Sequence, residues 1–115
     1  MATEMMRKGS VSKKQHEMSP EEWKVRVDLA ACYRLLALYG MTDLDATHIS
    51  ARDPHNSKQL FLNPYGLLFD EITATSLVKC DLDGNIIDSE QSLNMAGYTI
   101  HSAVLAARSD ASCVI

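Results

Sequence analysis

A mixed α/β fold built on antiparallel strands is predicted by three features of the sequence. A capped helical pattern begins at Ser19-Pro20. Short strand-like runs are separated by turn-forming clusters at 53–58 and 83–84. A second helical pattern of small and aliphatic residues follows Asn94 and leads into a final apolar run. With 115 residues and 46% apolar content, the chain is long enough for one modest core and too short for two.

Residues 1–18 set Arg7, Lys8, Lys13 and Lys14 against Glu4 and Glu17, with Gly9, Ser10 and Ser12 among them and little periodicity. Such a segment buries too little surface to offset its ordering entropy, so a disordered basic tail is expected, with the folded domain over 19–115. Ser19 suits a helix cap, Pro20 the first helical position, and Glu22 the carboxylate position of a capping box. Trp23, Val27, Ala30, Ala31, Leu35 and Leu38 then recur at spacings of three and four, which predicts an amphipathic helix ending at Gly40 with that stripe inward. Trp23, Tyr33 and Tyr39 are read as packing residues.

After a polar connection, Thr47 to Arg52 alternates like a strand, and Asp53 to Lys58 is dense in turn formers leading to Gln59–Leu62. An antiparallel hairpin follows, with His55 a solvated turn residue. Asn63-Pro64-Tyr65-Gly66 breaks the second strand. Its Pro fixes one φ and its Gly permits a positive one, so the backbone path is specified and able to hold a site. The adjacent Asp70-Glu71 pair reads as surface charge, and Thr73–Ser76 as a short helical turn. Leu77–Cys80 reads as a strand that turns at Asp83-Gly84 into another over Asn85–Ile87. The Asp81-Leu82-Asp83-Gly84-Asn85 string has the look of a calcium loop but lacks its distal Glu, so the hairpin reading is preferred. Asn94 caps a helix running to about Arg108, whose stripe Ala96, Ile100, Val104 and Ala107 is expected on the sheet, with His101 beside it. Residues 109–115 open a strand, and a fold of this kind is expected to continue past it.

Cys32, Cys80 and Cys113 are odd in number, lack CxxC spacing and fall in apolar runs, which suits buried free thiols in a reducing compartment. The net charge of −4 offers no basis for nucleic acid or an anionic membrane surface. No run reaches the roughly 18 apolar residues of a membrane helix, and no signal-peptide core is present, so a cytoplasmic location is expected.

Taken together, HISARDP, FLNPYGLLFDEITATSLVKCDLDGN and NMAGYTIHSAVLAARSDASCVI resemble the class II aldolase and adducin head-domain family, nearest its adducin-like branch. The resemblance implies a three-layer α/β/α sandwich around a mainly antiparallel sheet, of which this chain is the N-terminal half. Family aldolases cleave sugar phosphates by retro-aldol chemistry with a divalent metal, held by a His-x-His pair and a later His. The His-x-His would fall directly after Ile115, so a zinc-like metal is implied for a longer protein and no metal ligand for this chain. Met95, Ala96 and Gly97 match the aldolase Ser-Ser-Glu, His48 matches a phosphate-contacting Asn, and Asn63 matches a Thr of the phosphate loop, while Gly66 agrees with the family.

These departures imply loss of sugar-phosphate aldolase activity and an adducin-like assembly module, homo-oligomeric and linked to the actin cytoskeleton. The alternative implied is part of a divalent-metal-dependent lyase whose metal ligands lie beyond Ile115. In that case His48, Asn63, Tyr65, Gly66 and His101 are the expected substrate-binding residues, and no catalytic residue is assigned.

Overall fold

A computed structural model describes residues 15–44 and 46–115. Two helices, α1 (Pro20–Leu38) and α2 (Met95–Ala107), enclose four strands: β1 (Ser50–Arg52), β2 (Gln59–Leu62), β3 (Val78–Asp81) and β4 (Cys113–Val114). Short 3-10 turns cover Gln15–Glu17 and Phe69–Glu71. The expected disordered tail lies, for residues 1–14, outside the described residues.

The sheet runs β3-β2-β1-β4 with every pairing antiparallel. Because successive strand side chains point to opposite faces, the sheet supplies two cores. Ile49 and Phe61 join Leu29, Tyr33, Phe69, Ile72 and Leu77 under α1. Leu60, Leu62, Val78 and Cys80 join Leu93, Tyr98 and Leu105 under α2. The result is the predicted helix, sheet, helix layering.

Both helices form where their sequence signals place them. Ser19 Oγ accepts from the Glu22 N–H at 3.1 Å, and Asn94 accepts from Ala96 and Gly97 N–H groups. Their inward faces, however, are rotated by about one residue, roughly 100°, from the expected stripes. α1 buries Glu22, Arg26, Leu29, Ala30 and Tyr33, whereas Val27, Leu35 and Leu38 are exposed. α2 buries Gly97, Tyr98, His101, Ser102 and Leu105, leaving Ile100 and Val104 outside.

The rotation on α1 has an electrostatic cause. The Glu22 carboxylate, expected to complete a capping box, turns inward to Arg26 Nε at 3.0 Å and Lys79 Nζ at 2.8 Å. Arg26 pairs further with Asp88, donates to the Leu77 carbonyl at 2.8 Å and lies over the Phe61 ring. Charges so mutually satisfied can occupy a buried face that an apolar count would never choose.

Three smaller expectations are also corrected. The strand over Asn85–Ile87 is reduced to one bridge between Ile86 and Cys80, with Ile86 and Ile87 exposed. His55 is not simply solvated, since its Nε2 reaches Ser19 Oγ at 2.9 Å and ties the β1–β2 loop to the start of α1. All three cysteines are free, but Cys80 alone is buried, Cys32 is half-buried and Cys113 is exposed. The 81–85 string is a turn closed on itself: Asp81 accepts from the Asp83 and Asn85 N–H groups and the Asn85 amide, and these bonds hold its carboxyl below the usual range. Glu71 caps its own 3-10 turn by accepting from the Leu68 N–H at 2.8 Å.

Candidate functional site

The α2 face of β1 carries His48 just before the strand and Ser50 at its first position. A spacing of two along extended backbone puts both side chains on the same side. Opposite them, Gly97 and His101 stand four apart on α2 and so share its inward face. Ser50 Oγ and His101 Nδ1 share a 2.7 Å hydrogen bond, fixing the orientation of a buried imidazole. The two histidine rings meet edge to face with centroids 6.0 Å apart.

Gly97 is the space that lets His48 in. A Cβ at this position would lie 2.4 Å from both Cγ and Cδ2 of His48, so any other residue collides with the ring. The half-buried His48 has an enclosed Nε2 with no hydrogen-bond partner. Burial, and then the neighbouring His48, push the His101 pKa below its ordinary value and favour the neutral imidazole. The cluster thus offers one fixed neutral imidazole and one imidazole nitrogen with unused hydrogen-bonding capacity.

Of the five expected site residues, the structure brings His48 and His101 together. Asn63 is buried and already committed: its Oδ1 accepts from Tyr33 OH at 2.9 Å and its N–H donates to the same oxygen at 3.2 Å. That hydroxyl also accepts from Ile49 N–H at 3.0 Å, so Asn63 supports the strand that carries His48. Tyr65 and Gly66 are exposed on the shaped loop, where Gly66 takes φ +91°. The Tyr65 N–H donates to Ser92 O at 2.9 Å and Pro64 bridges Leu93, so this loop borders the segment that starts α2. Ser50, Gly97 and Tyr33 were not foreseen, although two-residue and four-residue spacings from His48 and His101 point to the first two.

Among the described residues, no group of three or more His, Cys, Asp or Glu side chains is placed to hold a metal ion. The donors present do not by themselves make the divalent-metal centre common in class II aldolases. Among the described residues, no helix is long and apolar enough to cross a membrane.

Residues 27–115 match the family model described as the class II aldolase and adducin N-terminal domain. A Caulobacter vibrioides relative named "Putative aldolase class 2 protein" is 57% identical over 86% of this chain and 39% of its own length. Mouse alpha-adducin is 45% identical over 79% of this chain and 13% of its own. The crystal structure of an aldolase II superfamily protein from Pseudomonas syringae superposes with a TM-score of 0.82 at 52% identity, covering 86% of this chain and 40% of that one. The chain therefore spans well under half the length of these relatives. With the helix, sheet, helix layering, these matches establish that the chain belongs to the class II aldolase and adducin N-terminal domain family.

Proposed function

We propose that this chain forms one wall of a small-molecule site in a lyase-type protein of the class II aldolase family. In this reading His48 is the ligand-responsive group, and Gly97, His101 and Ser50 position it. The observation that carries the reading is the enclosed, unpartnered Nε2 of His48 over Gly97. A buried polar atom without a partner costs free energy, and a packing role alone does not call for one. The ligand is expected to be a small polar carbonyl compound, not a sugar phosphate. Met95 and Ala96 offer no hydroxyl and Gly97 no carboxylate where family aldolases carry all three. The metal such chemistry uses would need donors from outside the described residues, and the residues here serve to bind, orient and exchange protons.

The test is an amide and imidazole NMR titration of the protein at its full natural length with small hydroxyaldehydes and α-keto acids, beside a His48→Ala variant. Joint shifts at His48, Ser50 and His101, lost in a variant whose stability stays within about 1 kcal/mol of the parent, support the reading. Silence at all three residues, or unfolding of the variant, would sink it.

A second reading is an adducin-like assembly module, favoured by the outward apolar residues of both helices. Val27, Leu35 and Leu38 on α1, and Met95 and Ile100 on α2, are all more than 40% exposed. Homo-oligomers in sizing experiments, or co-sedimentation with actin filaments, without ligand or metal retention would favour it over the first.

A further inference from the structure

We propose that Cys32 and Cys113 form a dithiol that hydrogen peroxide converts to an intramolecular disulfide, locking the edge strand β4 onto α1. The sequence separates these residues widely, but the fold brings them to one place. In the β1–β4 ladder Cys113 lies opposite Ala51, and Val114 opposite Ser50. Ala51 packs on the α1 cluster together with Cys32, whereas Ser50 faces α2. Strand alternation therefore aims Cys113 at the helix that carries Cys32. Both side chains line a single cavity of about 260 Å³ with Val25, Leu29 and Ala51.

Access and chemistry agree with that placement. Cys113 is exposed and Cys32 half-buried, so a small oxidant reaches either sulfur. Partial burial first, and then Cys32, push the thiol pKa of the otherwise exposed Cys113 up. Because the thiolate is the nucleophile, the reaction should be slow at neutral pH and quicken as pH rises. One thiolate attacks a peroxide oxygen; the O–O bond breaks, and hydroxide leaves and is protonated to water, giving a sulfenic acid. The second sulfur then attacks the sulfenic sulfur. The S–O bond breaks as the S–S bond forms, and a second water leaves. Two thiols and one peroxide give one disulfide and two waters. Cys80 is an internal control, fully buried under α2 with its thiol pushed up to about 12 by burial and then by Asp81 and Asp88.

The experiment treats the purified chain with hydrogen peroxide at rising pH, then counts thiols and maps peptides without reduction. The expected result is a fall from three free thiols to one, a mass lower by two hydrogens, and a peptide joining Cys32 to Cys113. On a denaturing gel the product should run as a single chain, and its urea midpoint should rise and then fall back on reduction. Cys32→Ser and Cys113→Ser should each abolish the crosslink. Persistence of all three thiols, disulfides between chains, or conversion of Cys113 alone to sulfinic acid would overturn the proposal, and the unmutated chain distinguishes all of these.

Discussion

Tyr33 shows how much of this fold one hydroxyl organises. Its OH accepts from the N–H groups of Ile49 and Asn63, and its single proton serves the Ile49 carbonyl or the Asn63 amide oxygen. Tyr33→Phe strips partners from buried groups on two chain segments while leaving the ring against Phe69. A loss of about 1–3 kcal/mol in urea unfolding is expected, and a loss near zero would mean that other donors take over.

Gly97 and His48 give a sharper residue-level test. Gly97→Ala forces the His48 ring to move and should destabilise the chain by about 1–3 kcal/mol. In a His48→Ala background the collision is gone, and the better helix propensity of Ala should make the same change stabilising by up to about 1 kcal/mol. Denaturation of all four members of the cycle checks the sign reversal; equal effects in both backgrounds would refute the contact. At this scale the sequence was partly legible. Both histidines stood out as chemically able residues, but a glycine announces no partner, and Asn63 looked available because nothing in its own segment reveals Tyr33 beneath it.

Helix positions were readable from caps and spacing, whereas helix orientation was not. Periodicity counts apolar residues, and the face of α1 that turns inward carries the Glu22–Arg26 pair among Leu29, Ala30 and Tyr33. The stripe chosen by hydropathy is the outward one, because Arg26 and Glu22 satisfy each other with Lys79 and Asp88 in the interior. The pH dependence of stability follows. Burial raises the Glu22 pKa, but Lys79 and then Arg26 outweigh it, so its folded pKa lies below the ordinary 4.5. A carboxylate with a depressed folded pKa contributes stability that is fully present above its unfolded pKa and is lost as pH falls through the folded one. His101, also depressed from its ordinary 6.5, adds an earlier loss beginning as pH drops below that value. Urea midpoints should therefore fall in two stages on acidification. Glu22→Gln should shrink the lower stage and leave the upper one in place, Asp81 still contributing below the ordinary carboxylate range, and an unchanged profile would mean that the buried carboxylate is not ionised.

Viewed whole, the molecule is a twisted antiparallel sheet with a core on each side and apolar residues left over outside both helices. Layering was legible because strand runs and capped helices alternate, but the reduction of the expected strand after Asp83-Gly84 to a single bridge was not. Asp81 spends its carboxylate closing the turn, and only the Ile86 bridge to Cys80 remains. The outward residues lead to a prediction about association. Leu35 and Leu38, 52% and 77% exposed, sit on the same outer stripe of α1. Replacing both with Glu should lower the apparent mass seen by light scattering at high protein concentration, with little change in unfolding midpoint. A coupled loss of stability would show instead that the stripe packs within the chain.

The shortness of β1 makes the sheet a matter of parity. His48 and Ser50 belong to the even side and meet α2, while Ile49 and Ala51 belong to the odd side and meet α1. One residue inserted at the outer bend of 54–57 leaves that bookkeeping intact. The same insertion between Ile49 and Ala51 would reverse it, presenting serine to a hydrophobic layer and an aliphatic chain to the imidazoles. Length variation between this chain and its relatives should therefore collect in the bend and spare the few residues before it.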